Sequence, residues 1–379
     1  MYWYWPFARE EDIALARSTP GENDTLTVHA LNRPGAPSES TDRVTIRADL
    51  PDITSRSEGT ARWAASRART YMARARMRRA AIAAGNFDVC HVAFLNQYTD
   101  IVDLRRLAKS VPLVTTIHDV LPHHTRLPES VQRRMLIALY QACGTIIVHH
   151  QDVGDELTDR FAITRERIHV VPHWVSPFRD ASDRRTLAAE PTVLCFGTLR
   201  QNKGIPQLLA AIEQIGPDAG IRFRIAGRGD PILEAAVLDA AARLPHLDAE
   251  VEWITPERKT ELLRDADLMV LPYTAFSSQS GVLHDAFGSH LPAVVTDVGA
   301  LRASIQHTGA GWVVPPGSVD DLATAMTAAF SNPVAWQRAS DGAREVAIAQ
   351  APEPVGAALR AVYEASVGSR TERGASRSE

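Results

Sequence analysis

Cysteine is scarce in this 379-residue sequence, which contains only Cys90, Cys143 and Cys195. The three lie far apart, each within or beside an apolar run, and none forms a CxxC pair with another. This spacing excludes a disulfide framework and the paired cysteines of a typical zinc site. It predicts buried, reduced thiols in a cytoplasmic protein.

A long apolar run and an excess of positive charge are also missing. No run approaches the length of a membrane-spanning helix, and the first residues carry no basic-then-apolar signal pattern. The formal net charge of -4 argues against a general nucleic-acid binder. These absences favour a soluble, cytoplasmic protein whose ligand is something other than nucleic acid.

The length and the order of the apolar runs predict two α/β domains. A chain of 379 residues exceeds one ordinary core, and strand-length apolar runs alternate with helical patterns. We expect doubly wound, Rossmann-like domains at residues 1–174 and 191–350, joined by a polar linker at 175–190. A C-terminal helix at 351–367 is expected to pack back on the first domain, and the tail at 368–379 has the composition of disorder.

The stretch 276–300, FSSQSGVLHDAFGSHLPAVVTDVGA, combines a hydroxyl-rich loop, a short helix predicted from Val282 to Ser289, and a buried strand. Ligands of parallel sheets bind where loops leave the carboxyl ends of strands. The unpaired N–H groups and the dipole of a helix N-terminus favour negative charge. The stretch is therefore predicted to hold a diphosphate.

A second glycine-bearing loop, GTLRQNKG at 197–204, follows the predicted strand 192–196. Its terminal glycines allow close backbone approach, and Arg200 and Lys203 could clamp phosphate oxygens. The GxxxxGK[ST] spacing of a Walker A loop is absent, and a basic surface turn is the common alternative. The later GRG at 227–229 is weak by itself.

His118 follows the predicted strand 111–117, at the edge where parallel sheets bind ligands. It could donate a hydrogen bond, act as acid or base, or orient a substrate; the alternative is a histidine that caps the following turn. Nearby side chains could also suggest a metal site with it: Asp119, His123 and His124. Pro122 interrupts any helical pairing of these side chains, so a metal is disfavoured.

A predicted helix from Arg62 to Ala84 carries seven arginines and no acid: Arg62, Arg67, Arg69, Arg74, Arg76, Arg78 and Arg79. On a helical wheel Arg62, Arg69 and Arg76 share one stripe, and Arg67, Arg74 and Arg78 share another. The apolar residues gather on no clean face. Such a helix either meets an anionic membrane or an anionic acceptor, or is simply solvated.

Six segments match the motifs of one family. The second half contains GTLRQNKG at 197–204 for G-R-L-x-x-x-K-G, AGRG at 226–229 for A-G-x-G, VTDVG at 295–299 for A-T-D-V-G, and GWVVPPG at 311–317 for G-L-L-V-P-P-G. The first half contains His118-Asp119 for a His-Asp pair, and VVPHWV at 170–175 for V-I-P-N-G-V. The sequence thus resembles the retaining glycosyltransferases of the GT-B fold, family 4, also called glycosyl transferases group 1.

The resemblance implies two Rossmann-like domains facing across a cleft. It also implies transfer of a sugar from a nucleotide-diphosphate donor to an acceptor hydroxyl, with retention of anomeric configuration. The partners would be a nucleotide sugar and a glycan, lipid-linked or small-molecule acceptor. No cofactor is expected, and no metal ion, because two cationic side chains could take its place. The basic helix would allow peripheral contact with the inner membrane face.

The resemblance also implies roles for individual residues. Arg200 and Lys203 would offset the charge that builds on the leaving diphosphate, Asp285 would accept hydrogen bonds from the ribose, and His118 would contact the donor sugar. Further donor-binding residues would be Gly197, Gly227, Ile254 (the end of a strand predicted at 251–254), Ser277, Gln279, Ser280, Gly281, Val282 and Leu283.

Two features depart from the family pattern. The family has two glutamates separated by seven residues, where this sequence has Ser277 and Asp285. Pro6-Phe7-Ala8-Arg9 replaces the family's glycine-rich loop after the first strand. Two alternatives follow. One is a nucleotide-sugar epimerase of the same fold, which would need acids in the cleft; the other is a degenerate, non-catalytic partner subunit.

Overall fold

The structure is a computed structural model that divides into two compact units, Met1–His173 with Pro352–Glu379, and Trp174–Ala351. It describes residues 1–6, 12–32, 36–52, 61–85, 87–96, 100–118, 120–121, 128–275 and 280–375. Each unit is an α/β unit built on a largely parallel sheet. The fold class predicted from the alternation of strands and helices is therefore confirmed.

In the part of the chain that the structure describes, the sheet of the first unit has eight strands in the order β3-β4-β2-β1-β5-β6-β7-β8. These strands are β1 (Tyr2–Tyr4), β2 (Leu26–Leu31), β3 (Glu39–Ser40), β4 (Val44–Leu50), β5 (Cys90–Val92), β6 (Leu113–Thr116), β7 (Thr145–Val148) and β8 (Ile168–Val170). The short edge strand β3 pairs antiparallel with β4, and the other neighbours pair in parallel.

Within the described ranges, six helices belong to the first unit. They are α1 (Ile13–Ser18), α2 (Ala61–Ala84), α3 (Asp100–Ser110), α4 (Glu129–Ala142), α5 (Gln151–Phe161) and the C-terminal α13 (Pro352–Ala375). Helix α13 begins near the predicted position but continues through 368–375. The prediction of disorder there is wrong for those residues, because the helix continues into the polar tail without a break; 376–379 lie outside the described residues.

The second unit has a six-stranded sheet in the order β11-β10-β9-β12-β13-β14, with every neighbour parallel. Its strands are β9 (Thr192–Phe196), β10 (Arg222–Ala226), β11 (Leu247–Glu250), β12 (Leu268–Leu271), β13 (Ala293–Thr296) and β14 (Gly311–Val314). Its helices are α6 (Ile205–Ile215), α7 (Pro231–Arg243), α8 (Pro256–Asp265), α9 (Gly281–Gly288), α10 (Leu301–Thr308), α11 (Val319–Ser331) and α12 (Pro333–Ala349).

Both faces of the second sheet are buried, because successive side chains along a strand point to opposite faces. Val193 and Cys195 of β9 belong to one apolar cluster, and Leu194 between them belongs to the other. The carboxyl ends of these strands are thereby held in a rigid layer. The loops that leave those ends carry the candidate site.

The strand predicted at 251–254 is misplaced. The edge strand is β11, whose Leu247 and Ala249 pair with Phe223 and Ile225 of β10. Its LDAE sequence is only partly apolar, as an edge strand allows, whereas the more apolar VEWI lies in the loop that follows. Trp253 in that loop is 70% exposed.

The two arginine stripes of α2 have different surroundings. Arg62, Arg69 and Arg76 are exposed. Arg78 is buried, forms ion pairs with Asp100 and Asp103 of α3, and lies 4.4 Å from the centroid of the Tyr4 ring. Arg74 is also buried and donates to the Pro51 carbonyl at 2.8 Å. A fully solvated helix is therefore excluded, and membrane contact through the exposed stripe stays a prediction.

The segment predicted as a polar linker lacks helix and strand but packs on the second unit. The buried Arg185 guanidinium donates to the backbone carbonyls of Ser289, Arg264 and Ala266. Phe178 N–H donates to the Gly288 carbonyl at 2.9 Å. The segment thus holds the C-terminal end of α9.

All three cysteines are free and buried, as predicted. Burial raises the pKa of each thiol to about 12. Among the described residues, no helix is both long enough and apolar enough to cross a membrane.

Candidate functional site

Three loops meet at the carboxyl edge of the second sheet, and glycines allow the meeting. Gly204 has a φ of 66°, and a Cβ atom there would lie 1.8 Å from the Pro272 carbonyl oxygen. Gly227 has a φ of 135°, and its Cβ would lie 2.0 Å from the carbonyl oxygen of Gly197. Both glycines adopt backbone that favours glycine and occupy space that a side chain would need. The loops after β9, β10 and β12 are thereby brought into contact.

Backbone hydrogen bonds join the first two of these loops. Leu199 N–H donates to the Arg228 carbonyl at 3.1 Å, and Asp230 N–H donates to the Leu199 carbonyl at 2.9 Å. Gly227 N–H donates to the Glu250 carbonyl at 2.9 Å, which extends the connection to the end of β11. Gly197 also lies close to α9, since its Cβ would approach a methyl group of Val282 within 3.4 Å.

The two predicted cations lie on one turn between β9 and α6. A 3-10 turn spans Gln201–Lys203, and Arg200 precedes it with an exposed side chain. Lys203 is half-buried, with its Nζ 3.5 Å from the centroid of the Tyr273 ring. Burial lowers the Lys203 pKa to about 8, and the neighbouring Arg200 charge acts in the same direction. The turn therefore offers one solvated and one partly desolvated cation.

The same turn is hydrogen-bonded to the loop that leads into α9. Asn202 Nδ2 donates to the Ala275 carbonyl at 3.0 Å, and Thr274 N–H donates to the Asn202 carbonyl at 3.0 Å. The buried Tyr273 hydroxyl lies 3.2 Å from Ser280 Oγ. Ser280 is the N-cap of α9 and Gly281 its first residue. The cationic turn and a helix N-terminus thus share one loop system, a combination suited to a phosphate-bearing ligand.

Asp285 lies on α9 and has a partner that the sequence did not reveal. Its Oδ1 is 3.6 Å from Nζ of Lys259 on α8, and both side chains are largely buried. Lys259 Nζ also lies 4.9 Å from the centroid of the Phe178 ring. The ribose contact expected of Asp285 stays a prediction, and the structure adds a buried ion pair to it.

The edge of the site near β11 presents an aromatic surface. Ile254 is half-buried, and next to it the exposed Trp253 ring has the Arg228 guanidinium carbon 5.5 Å from its centroid. Arg228 follows β10 and Trp253 follows β11, so neighbouring strands bring the two side chains together. Sequence reasoning missed both residues. An aromatic residue beside the predicted donor-binding Ile254 was the available signal.

His118 of the first unit has a defined tautomer. Its Nε2 lies 2.9 Å from the Ala93 carbonyl oxygen, which can only accept, so Nε2 carries the proton. The ring stacks on Phe94 with centroids 4.3 Å apart. Burial lowers the His118 pKa to about 4, and the nearby His173 acts in the same direction. His118 is therefore neutral at neutral pH.

Two further histidines continue from His118 across the strand ends of the first unit. The His149 ring centroid lies 5.0 Å from that of His118, and the His173 centroid lies 5.1 Å from that of His149. His149 Nδ1 donates to the Val171 carbonyl at 2.9 Å. His149 and His173 were missed, although each follows a short apolar strand as His118 does.

Ser277 and Gln279 of the donor loop, and Asp119, His123 and His124 near His118, lie outside the described residues. Within the described ranges, no group of three or more histidine, cysteine, aspartate or glutamate side chains could hold a metal ion.

Two glycosyltransferase family models match the chain. Residues 13–179 match the model described as Glycosyltransferase Family 4. Residues 190–332 match the model described as Glycosyl transferases group 1. Each of the two parallel-sheet units is thus matched by a glycosyltransferase family model, in agreement with a GT-B fold.

Similar proteins add detail to that class. The chain is 26% identical over 249 residues to the D-inositol 3-phosphate glycosyltransferase of Nocardia farcinica, covering 58% of this chain and 53% of that protein. It is 24% identical over 201 residues to an uncharacterized glycosyltransferase of Methanocaldococcus jannaschii, covering 49% of this chain and 50% of that protein. The chain thus spans about half the length of the curated relatives it matches.

Solved structures match over nearly the whole chain. Sucrose-phosphate synthase from Thermosynechococcus elongatus superposes with a TM-score of 0.73 at 16% identity, covering 96% of this chain and 98% of that one. HepE from Anabaena in complex with UDP superposes with a TM-score of 0.64 at 13% identity, covering 98% and 99%. At this identity the likeness establishes the fold.

Proposed function

We propose that this protein is a glycosyltransferase that moves a sugar from a nucleoside-diphosphate donor to an acceptor hydroxyl, with retention of anomeric configuration. The observation that carries the proposal is the loop system of the second unit. There the turn bearing Arg200 and Lys203 is held by Gly204 and by hydrogen bonds against the loop that enters α9. The match of this unit to the group 1 glycosyl transferases supports the same function.

The reaction makes one demand that this loop system suits. The bond between the anomeric carbon and a diphosphate oxygen breaks, the acceptor oxygen bonds to that carbon, and its proton passes to the leaving diphosphate. Negative charge therefore builds on the diphosphate as the bond breaks. Lys203, Arg200 and the N-terminus of α9 would stabilise that charge because they are already in place before reaction. With two cations available, we expect no requirement for a divalent metal.

The strand order suggests how the donor lies along the sheet edge. Neighbouring strands are about 4.8 Å apart, and the loops run in the order β11, β10, β9, β12 and β13. We place the nucleobase near Ile254 beyond β11, the diphosphate near the ends of β9 and β12, and the sugar toward β13. Gly197 and Gly227 would let the nucleotide approach the backbone closely.

The exposed Trp253 ring lies next to Ile254, where the nucleobase is proposed to bind. Its ring has Arg228 on one side, and its high exposure leaves surface for a planar ligand. Stacking on an aromatic ring contributes roughly 1–3 kcal/mol per base in nucleic-acid complexes. Trp253 is therefore proposed to stack on the nucleobase.

Nucleotide titration tests the proposal directly. Wild-type protein titrated with UDP, GDP and ADP by calorimetry should bind at least one of them, and Lys203→Ala should weaken that binding about tenfold or more. The matched control is Arg243→Ala, which removes an exposed cation paired with Glu213 and should leave the affinity unchanged. Failure of every nucleotide to bind would refute the proposal.

Turnover separates the remaining alternatives. With nucleotide sugars and acceptors of the glycan, lipid-linked and small-molecule classes, the proposal expects a glycoside that keeps the donor's anomeric configuration, visible by NMR. EDTA should leave the rate unchanged. Interconversion of nucleotide sugars without an acceptor would identify an epimerase, and nucleotide binding without any turnover would favour a non-catalytic partner subunit.

The stacking role of Trp253 is tested by comparing the binding of a nucleoside diphosphate with that of pyrophosphate. Trp253→Ala should weaken nucleoside-diphosphate binding about tenfold while leaving the affinity for inorganic pyrophosphate unchanged, because pyrophosphate has no base. Ile232→Ala, which shortens another strongly exposed apolar side chain of the same unit, is the control. An equal loss for pyrophosphate would rule out stacking as the cause.

His118 is proposed to act on the sugar rather than on the nucleotide. A neutral imidazole with its Nε2 proton committed to Ala93 has Nδ1 as the ring atom left to accept a hydrogen bond. His118→Ala is expected to lower kcat at least tenfold with little change in nucleotide affinity. A large loss of nucleotide affinity with unchanged kcat would contradict this role.

A further inference from the structure

Tyr273 contacts both halves of the proposed diphosphate site through different atoms. Its ring face lies 3.5 Å from Lys203 Nζ, and its hydroxyl lies 3.2 Å from Ser280 Oγ at the N-cap of α9. Lys203 reaches the ring from the loop after β9, whereas Ser280 follows Tyr273 on the loop after β12. One side chain therefore joins the cationic turn to the helix N-terminus.

Tyr273 is buried, and its backbone is anchored to the neighbouring strand. It is 3% exposed, and its backbone carbonyl accepts from Thr296 Oγ1 at 2.6 Å. Thr296 ends β13 and Tyr273 lies two residues after β12, so the anchor runs between neighbouring strands. A side chain fixed in this way can impose a position on the groups that it touches.

We infer that Tyr273 is a positioning residue for the nucleoside-diphosphate site: its ring face fixes the Lys203 ammonium, and its hydroxyl fixes Ser280 and the start of α9. The inference rests on the proposed function. It adds a residue that takes no part in the chemistry but sets the distance between the two groups that would hold the diphosphate.

The chemistry of each contact supports a positioning role rather than simple space filling. A phenylalanine would fill the same volume, yet the hydroxyl is present and meets a hydroxyl partner, as buried polar groups require. The ammonium has lost part of its hydration, and an aromatic face attracts a cation most strongly when the cation is desolvated. The ring face thus favours one direction of the flexible lysine side chain over the others.

Two double-mutant cycles test the inference, with UDP and GDP as probes and the dissociation constant as the readout. Tyr273→Leu removes the aromatic face and should weaken binding about tenfold, but less than about twofold when Lys203→Ala is already present. Tyr273→Phe keeps the face and removes the hydroxyl, so it should weaken binding about threefold, with no further loss when Ser280→Ala is present.

A purely structural role would give a different pattern. Losses that stay the same in the Lys203→Ala and Ser280→Ala backgrounds would overturn the inference, because independent defects add. The Phe variant preserves nearly all of the packing, so its cycle still tests the hydroxyl contact with Ser280 if the Leu variant unfolds. Tyr140→Phe, which removes the hydrogen bond of another buried tyrosine, is the control and should leave binding unchanged.

The outcomes also distinguish a failure of the role inferred for Tyr273 from a failure of the proposed function. Nucleotide binding by the wild type with additive losses would overturn the role of Tyr273 and leave the proposed function standing. No binding of UDP or GDP by the wild type, together with none of ADP, would overturn both.

Discussion

The Lys203 ammonium faces the Tyr273 ring, and partial burial lowers its pKa to about 8. A free lysine has a pKa near 10.4, so Lys203 is mostly charged at neutral pH but loses its charge in mildly alkaline solution. An anionic ligand binds the charged form. The affinity proposed for a nucleoside diphosphate would therefore depend on pH in a range where ordinary lysines do not titrate.

We accordingly predict that nucleoside-diphosphate affinity falls as the pH rises from 7 to 9, by roughly fivefold to tenfold, as protons leave Lys203. Calorimetric titrations across this range measure it. Lys203→Arg should bind more weakly at pH 7, because arginine differs in shape, yet its affinity should stay flat with pH. An equal slope in both proteins would assign the titration to another group.

Buried histidines in the first unit make its stability depend on pH. Burial lowers the pKa of His91 to about 3 and of His118 to about 4, against about 6.5 in an unfolded chain. Between the folded and the unfolded pKa values, the unfolded state therefore binds more protons than the folded state does. Stability from the neutral rings is complete above pH 6.5 and declines as the pH falls toward 4.

Because the unfolded state binds more protons, we predict that the free energy of unfolding of the first unit falls by roughly 3 kcal/mol when the pH is lowered from 7.5 to 5.5. About half of this loss should come from each histidine. Urea denaturation at the two pH values measures it. His118→Asn should remove about half of the dependence. If the variant shows the full loss, His118 is not one of the responsible groups.

At the scale of elements, the loop after β9 depends on two close approaches of backbone. Gly204 combines a φ of 66° with a Cβ position that would lie 1.8 Å from the Pro272 carbonyl oxygen. Gly220 has a nearly identical φ of 67°, but no atom lies within 4 Å of its Cβ position. Alanine substitutions at these two glycines therefore separate the free-energy cost of left-handed backbone from the cost of a steric clash.

Gly220→Ala is predicted to lower stability by about 1 kcal/mol, the cost of left-handed backbone alone. Gly204→Ala should cost at least about 2 kcal/mol more, because the loop must move away from Pro272, and nucleotide binding should fall with it. Urea denaturation and calorimetry report the two effects. Equal costs in the two variants would show that the contact with Pro272 contributes nothing.

Helix α9 is the second element on which the site depends, and partners distant in sequence hold it. Lys259 of α8 pairs with Asp285, and Arg185 donates to the Ser289 carbonyl just beyond the helix. A buried cation without a partner is costly, so these contacts position α9 as well as stabilise it.

The misplaced strand prediction at 251–254 also shows the influence of tertiary structure. The position at the edge of the sheet, rather than local apolarity, decided which residues formed β11.

At the scale of the whole molecule, the chain returns to its first unit through α13. Tyr363 on this helix is buried, and its hydroxyl lies 2.8 Å from Nδ1 of His91. Gly356 lies where a Cβ would come 2.7 Å from the Ser18 carbonyl oxygen. Helix α13 is thus part of the core of the first unit, although it follows the second unit in sequence.

Two glycine substitutions in α13 measure this packing. Alanine normally stabilises a helix interior by about 1 kcal/mol over glycine, and Gly368→Ala, with no atom within 4 Å of its Cβ position, should be neutral or stabilising. Gly356→Ala should instead destabilise the first unit by about 1–2 kcal/mol. Thermal and urea unfolding test both, and stabilisation by Gly356→Ala would show that the helix packs loosely there.

The sequence by itself determined the alternation of strands and helices, the two-unit organisation, and the positions of Gly204, Lys203 and Ser280 within loops. These features depend on residues that are near one another in the chain, where periodicity and backbone preference operate. Only the tertiary structure decided that Lys203 faces Tyr273, that Asp285 pairs with Lys259, and that His118, His149 and His173 form one row. Those partners come from different strands and helices, so strand order, which no local pattern encodes, brings them together.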